Sequence, residues 1–253
     1  MKIRHFKKKN QIRSDDRIAL DNLLAECDFI YDKSVDFLIN EVDEKSIFCI
    51  YDEFDQMSGF ISVEDTEREI QIGELYVNQA ERRKGFGKIL VDRATQYSKE
   101  LGYDYVTLGV SLDNTNAQKF YESQKFIFER LPKGSSLIAM KRYNSKMAYQ
   151  IAGIIFELEK QFGLEKIREN IEKIEKYDDF YKYFSKKDDE KIKERLNSDL
   201  LWYVLDVIEG KEIPENKSKK AIVSAQCYYD LKQQEKVKER VEEEKNKIKK
   251  QGK

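Results

Sequence analysis

A run of basic residues that contains two glycines is the strongest chemical signal in the sequence. Its residues are Arg82-Arg83-Lys84-Gly85-Phe86-Gly87-Lys88, and it follows the apolar segment 74–77 and leads into an amphipathic stretch. This order predicts a strand, a turn and a helix, with unpaired backbone N–H groups at the positive end of that helix. Such a helix end suits a pyrophosphate.

The residues after the second glycine disfavour two common nucleotide-binding loops. A Walker A loop needs Ser or Thr after Gly-Lys to bind magnesium, but Gly87-Lys88 is followed here by Ile89. A Rossmann fingerprint needs a small residue three positions beyond the second glycine, where this chain has Leu90. The turn therefore favours a different phosphate-bearing ligand.

A second spaced motif follows the next apolar segment, which is predicted to be a strand. The motif consists of Asn114, Ala117, Tyr121 and Phe126. Together with Arg-x-x-Gly-x-Gly at residues 82–87, this spacing resembles the GNAT N-acetyltransferase family. In that family the glycine loop binds acyl-CoA, and the Asn opens the next helix.

One residue departs from the family pattern. The family usually places Gly before the Phe, and this chain has Lys125. Because a residue with a side chain resists positive φ, we expect the exit of this helix to differ.

The resemblance implies an α/β fold over about residues 2–143, a mixed sheet flanked by helices of the acyl-CoA N-acyltransferase type. It implies acetyl-CoA as co-substrate, with N–H groups of the loop holding the pyrophosphate and basic side chains adding positive charge. The expected coenzyme-binding residues are Leu75, Tyr76, Val77, Arg82, Arg83, Lys84, Gly85, Phe86, Gly87, Lys88, Asn114 and Ala117. The Glu74 and Val106 strands are expected to splay apart around the pantetheine arm, with the Val77 N–H as donor to the thioester carbonyl.

Acetyl transfer also needs proton transfer, and the resemblance suggests two residues for it. A lysine amine has a pKa of about 10.4, so a base must take its proton near neutral pH, and Glu74 is the candidate. Tyr121 is the candidate general acid for the departing thiolate. Each has a structural alternative: a surface ion pair for Glu74 and aromatic packing for Tyr121. Asn114 either reaches the pantetheine or caps its helix.

Composition narrows the remaining functions. Of the 253 residues 38% are charged, yet the formal net charge is only −1, so no excess of positive charge is available for nucleic acid or a membrane surface. No segment approaches the roughly eighteen apolar residues of a membrane span. We therefore expect a soluble, cytoplasmic protein with neither of these partners.

Few residues are available for metal or nucleophilic chemistry. His5 is the only histidine, and Cys27, Cys49 and Cys227 are odd in number and widely spaced. This pattern predicts neither a disulfide framework nor a metal site. Cys49 is expected to be a core residue, which fits direct transfer without an acyl-enzyme.

The apolar pattern alternates between strand and helix periods up to about residue 143, which favours an α/β layer structure. Ser14-Asp15-Asp16 is predicted to cap the first helix. Helices are predicted near residues 14–24, 35–42 and 82–101 and after Asn114. Strands are predicted at 46–51, 58–63, 69–77, 105–110, 127–129 and 137–140.

Residues 144–253 are predicted to be a separate, smaller all-α domain with a charged terminal helix, because Lys, Glu, Ile and Tyr dominate there. Apolar spacing predicts helices near 148–162, 167–174 and 196–208 and from about residue 219, after a linker at 210–218. This domain is a candidate site for homodimerisation or a protein partner. Residues 177–181 either line the path of a cationic acceptor or belong to the bundle.

Two functions follow from these observations. The leading hypothesis is an acetyl-CoA-dependent N-acetyltransferase that moves an acetyl group directly to a primary amine of a small molecule or protein. The alternative is a catalytically silent acyl-CoA-binding or interaction module whose helical tail docks a partner. The acceptor is not specified, because variable loops select it.

Overall fold

The computed structural model describes residues 1–27, 34–39, 45–186 and 188–251. The chain divides into two compact units. The first comprises Met1–Phe126 with Gly134–Asn144, and the second comprises Ile127–Lys133 with Ser145–Lys253. The functional division at residue 143 stays a prediction.

The first unit is built on a mixed sheet. The described strands are β1 (Lys2–Phe6), β2 (Lys45–Tyr51), β3 (Met57–Asp65), β4 (Ile70–Val77), β5 (Tyr105–Ser111), β6 (Ile127–Arg130) and β7 (Leu137–Tyr143), of which β6 belongs to the second unit. Within the first unit the order is β1-β2-β3-β4-β5-β7. Among the described strands of this unit, the pairing of β4 with β5 is parallel and the other four pairings are antiparallel. The predicted α/β fold with flanking helices is confirmed.

Helices lie between these strands in the order that the sequence predicts. They are α1 (Ser14–Ala25), α2 (Val35–Leu38), α3 (Phe86–Glu100) and α4 (Thr115–Ser123). The predicted cap of α1 is wrong, because Ser14 is the first helical residue and Arg13 is the N-cap, without a side-chain cap hydrogen bond. The predicted helix at 35–42 extends in part beyond the described residues, since 40–42 lie outside them.

The sheet has a helix layer on each face because apolar residues alternate along its strands. On β2, Ile47, Cys49 and Tyr51 pack with α1 and α2 in one buried cluster. Phe48, one position out of phase, instead makes ring contacts with Tyr97 of α3. Cys49 is fully buried, as predicted for a core residue.

The exit of α4 shows why a non-glycine residue is tolerated there. Lys125 has φ of +68°, so the prediction of a different helix exit is wrong. The Phe126 N–H donates to the Tyr121 carbonyl at 3.0 Å, and the Lys125 N–H donates to the Glu122 carbonyl at 2.9 Å. These two bonds form a Schellman motif, and the Tyr121 and Phe126 rings lie in contact beside it. The motif compensates for the strain of the left-handed backbone.

Replacing Lys125 by Gly is expected to stabilise the protein. The strained φ of a residue with a Cβ costs about 1–2 kcal/mol, of which the extra entropy of unfolded Gly cancels roughly half. We expect the free energy of unfolding to rise by about 0.5–1 kcal/mol. Urea denaturation measures it, with Lys125→Ala as control, because Ala loses the long side chain but keeps the strain. Equal stability of the Gly and Ala variants would contradict this account.

The second unit is mainly helical. Its helices are α5 (Lys146–Phe162), α6 (Ile167–Asn170), α7 (Asp189–Leu196), α8 (Asp199–Ile208) and α9 (Glu215–Gln251). The predicted helix at 196–208 is divided, because Ser198 caps α8 through the Leu200 N–H. The last helix begins at Glu215, inside the predicted linker.

Residues 177–181 of the second unit fit the structural alternative better than a ligand path. Phe180 is fully buried, and the Tyr181 hydroxyl donates to the Asp189 carboxylate.

Within the described ranges, no helix is both long and apolar enough to cross a membrane.

Candidate functional site

The parallel strands β4 and β5 separate at one end. Among the described residues their pairing runs only from Ile70–Val106 to Ile72–Leu108. On its other side β4 remains paired with β3 as far as Val77. The second half of β4 therefore has one edge free of a neighbouring strand, which is the expected splay.

Backbone groups of β4 point into this gap. The Asn78 N–H donates to the Ser58 carbonyl at 2.9 Å, so Gly59 and Val77 form a pair that exchanges no hydrogen bonds with each other. The N–H and C=O of Val77 therefore face away from β3, and by alternation those of Leu75 do as well. An extended ligand with amide groups can pair with this edge as a further strand would.

The basic turn is attached to the end of β4 by Arg82. Its Nε donates to the Val77 carbonyl at 3.1 Å, and its guanidinium lies 5.6 Å from the centre of the Tyr76 ring. The Tyr76 hydroxyl in turn donates to Glu26 at 2.8 Å, and burial together with this bond raises the pKa of Tyr76 to about 12. These contacts fix the turn relative to the strand.

Positive backbone angles in the turn determine where α3 begins. Arg83 has φ of +66° and Gly85 has φ of +91°, so the chain reverses before the helix starts at Phe86. The N–H groups of the first helical turn have no carbonyl one turn earlier. Within the described part of the chain, no hydrogen bond from the N–H groups of residues 86–88 is found. They form a row of hydrogen-bond donors at the positive end of α3.

Two of the four predicted cationic side chains are already paired. Lys84 donates to both carboxylate oxygens of Glu81 at 2.9 Å, and Lys88 pairs with Asp92 one turn along α3. The positive potential of the turn is therefore partly offset, and its backbone donors carry more of the expected anion binding.

A cavity of about 560 Å³ joins the turn, the free edge of β4 and one face of α4. Its lining consists of Leu75, Tyr76, Val77, Glu81, Arg82, Arg83, Gly85, Phe86, Gly87, Lys88, Asn116, Ala117, Phe120, Tyr121 and Gln124. Most of the predicted site residues are thus brought together, while Glu74, Lys84 and Asn114 lie outside this lining.

Sequence reasoning missed Glu81, Asn116, Phe120 and Gln124 in the cavity. Asn116 and Phe120 on α4 and Gln124 at its C-cap recur every fourth residue beside Ala117 and Tyr121, so helical periodicity was a usable signal for them. Gly87 lies against this face, because a Cβ added there would be 3.3 Å from the Phe120 ring.

Asn114 serves as the helix cap. Its side-chain oxygen accepts from the Ala117 N–H at 3.0 Å, which satisfies one of the free donors at the start of α4. Of the two roles considered for Asn114, this bond is the helix cap.

Tyr121 lines the cavity. It is 8% exposed and packs edge-to-face against Phe120 and Phe126, so aromatic packing is also part of its role. Burial, together with the nearby negative charge of Glu74, raises the pKa of the Tyr121 phenol well above its usual value. The phenol therefore stays protonated and able to donate.

Glu74 has a hydroxyl partner. Its carboxylate accepts a hydrogen bond from Ser62, and no ion pair of Glu74 is found among the described residues. The surface ion pair considered for Glu74 is therefore not seen in that part of the chain.

The remaining chemical groups lie away from the cavity. His5 stacks on Phe48 with ring centres 4.0 Å apart, and burial lowers its pKa to about 4, so the ring is neutral. The three cysteines are buried, and none of them forms a disulfide with another described residue. The described residues contain no cluster of three or more His, Cys, Asp or Glu side chains that could hold a metal ion.

Residues 16–126 match the model of the acetyltransferase (GNAT) family. No curated protein sequence matches the chain.

Solved structures also resemble this chain. An aminoglycoside 6'-N-acetyltransferase complexed with coenzyme A is 18% identical, with 57% of this chain and 98% of that chain covered and a TM-score of 0.45. Tetrahymena GCN5 is 16% identical, with 57% and 97% covered and a TM-score of 0.47. Ard1 from Thermoplasma volcanium is 22% identical, with 56% and 96% covered and a TM-score of 0.43.

Proposed function

We propose that the chain is an acetyl-CoA-dependent N-acetyltransferase, because residues 16–126 match the model of the acetyltransferase (GNAT) family. It moves an acetyl group directly to a primary amine of a small molecule or a protein, in the cytoplasm. The observation that carries the proposal is the single cavity that joins the free donors of α3, the free edge of β4 and Tyr121.

The residues present fit acetyl-CoA. The N–H groups of residues 86–88 and the exposed guanidinium of Arg83 suit the pyrophosphate. The outward-facing N–H groups of Leu75 and Val77 and the C=O of Leu75 suit the amides of the pantetheine arm and the thioester carbonyl, whereas the Val77 C=O already accepts from Arg82. The Val77 N–H is the predicted donor to that carbonyl. The Leu75 N–H points in the same direction and is nearer to Glu74 along the strand.

Bound acetyl-CoA supplies an activated acetyl group, and this chain supplies position and proton transfer. Holding the thioester and the amine close together in the reactive orientation lowers the barrier by about 7–11 kcal/mol in well-oriented reactions. The N–H of Val77 or Leu75 stabilises the negative charge that develops on the carbonyl oxygen. Glu74 takes the proton of the incoming ammonium, directly or through water, and the Tyr121 hydroxyl donates a proton to the departing thiolate.

A mixed panel of amines tests the proposal. The full chain is incubated with acetyl-CoA and with spermidine, an aminoglycoside, a lysine-containing peptide and a peptide with a free α-amine. Thiol release and mass-spectrometric detection of a product heavier by one acetyl group are the readouts. Binding of acetyl-CoA without product from any amine would support the silent-module alternative and contradict the enzyme.

A further inference from the structure

The pairing of β3 and β4 is interrupted beside Glu74. The register passes from Ile61–Leu75 to Val63–Ile72, so Gly73 and Glu74 together lie opposite Ser62. Two residues against one is a β-bulge, which leaves a ladder group unpaired and changes the direction in which the following side chains point.

Ser62 satisfies the bulge and holds Glu74 at the same time. Its hydroxyl oxygen accepts from the Glu74 N–H at 2.7 Å and donates to the Glu74 carboxylate. Ser62 is only 3% exposed, so water does not replace these bonds readily. The backbone and the side chain of Glu74 are thus tied to one buried hydroxyl.

Gly73 provides the space for this arrangement. A Cβ added at Gly73 would lie 2.7 Å from the Ser62 hydroxyl oxygen, which is closer than real Cβ atoms approach a neighbour. Any other residue at position 73 would displace the hydroxyl. Glycine, serine and glutamate at these three positions therefore act together.

We propose that Ser62 is a positioning residue for acetyl transfer, which with Gly73 fixes the Glu74 carboxylate in one position at the β-bulge of β4. The role rests on the proposed function, since it acts through the base. A carboxylate at the end of two methylene groups otherwise samples several rotamers, and the Ser62 bond selects one of them. The Glu74 N–H cannot lose its partner without local rearrangement, so both bonds resist motion.

A double-mutant cycle with Glu74 tests this role. In the full chain, Ser62→Ala is expected to lower kcat about ten- to a hundredfold, the range for a hydrogen bond to a charged group, while KM for acetyl-CoA changes less than about twofold. In a Glu74→Gln background, the same change is expected to alter kcat by less than about twofold, because the base is already absent. A purely structural serine would cause similar losses in both backgrounds.

Two further variants serve as a matched control and a second route. Ser58→Ala removes another buried hydroxyl of β3, which contacts the Gln56 carbonyl, and should leave kcat unchanged. Gly73→Ala displaces the Ser62 hydroxyl from the other strand and should reproduce the kcat loss. Thermal melting and calorimetric titration with acetyl-CoA show whether each variant is folded. If Ser62→Ala does not fold, Gly73→Ala is used for the test instead.

The outcomes separate this role from the proposed function. Wild-type acetylation with unchanged kcat in Ser62→Ala, or with equal losses in both backgrounds, overturns the positioning role and leaves the enzyme intact. Acetyl-CoA binding without acetylation of any amine by the wild type overturns the proposed function, and the positioning role with it.

Discussion

Replacing Tyr121 by Phe is expected to lower kcat for amine acetylation about 10²–10⁴-fold, the range of a general acid or base. The substitution removes one hydroxyl and keeps the ring, so the contacts with Phe120 and Phe126 at 5.2 and 5.3 Å remain. The affinity for acetyl-CoA should change little, because no proton is transferred in binding. Steady-state kinetics of thiol release and calorimetry of acetyl-CoA binding measure the two quantities.

The pH profile gives a second check on the same residue. Burial and the charge of Glu74 raise the pKa of the Tyr121 phenol above the ordinary 10.0 of tyrosine. The phenol is therefore protonated at every pH below about 10. Loss of the acid therefore begins only above about pH 10, and no alkaline decline near neutrality belongs to Tyr121. Tyr97→Phe is the control, because Tyr97 contacts Phe48 and does not line the cavity. This variant should keep the wild-type kcat. Unchanged kcat in Tyr121→Phe would limit this residue to packing.

The backbone geometry of the proposed coenzyme site was predictable from the sequence, because it depends on glycine spacing. Gly85 and Gly87 determine where α3 begins and which of its N–H groups stay open, so their spacing carries the geometry directly. The end of pairing between β4 and β5 follows from the family resemblance. Side-chain identities add less here, since Lys84 and Lys88 are paired with neighbouring carboxylates.

The surroundings of Glu74 were not predictable in this way. Ser62 meets Glu74 only because a bulge shifts the register of two strands, and no local pattern in either strand specifies that shift. The backbone conformation of Lys125 was also not predictable from its residue type. Its side chain argues against a left-handed residue, but two backbone bonds and one ring contact outweigh a cost of about 1–2 kcal/mol. A contact between two strands decided the position of Glu74, and local bonds at the helix end decided that of Lys125.

Replacing Gly87 by Val is expected to weaken acetyl-CoA binding about a hundredfold or more. Gly87 lines the cavity, and even a Cβ there would lie 3.3 Å from the Phe120 ring, so the larger side chain must occupy the cavity beside the first turn of α3. Loss of two hydrogen bonds to a charged phosphate corresponds to about 3 kcal/mol, or at least a hundredfold in Kd. Calorimetric titration with acetyl-CoA measures the change.

Gly102→Val separates this effect from general destabilisation. Gly102 lies just beyond the other end of α3, with φ of +88° and no atom within 4 Å of an added Cβ. Valine there strains the backbone and lowers stability, but it is remote from the cavity lining, so acetyl-CoA affinity should stay within about twofold of wild type. Because Gly87→Val acts on binding and Tyr121→Phe on kcat, the two variants separate coenzyme recognition from proton transfer. Wild-type affinity in Gly87→Val would mean that the phosphates bind elsewhere.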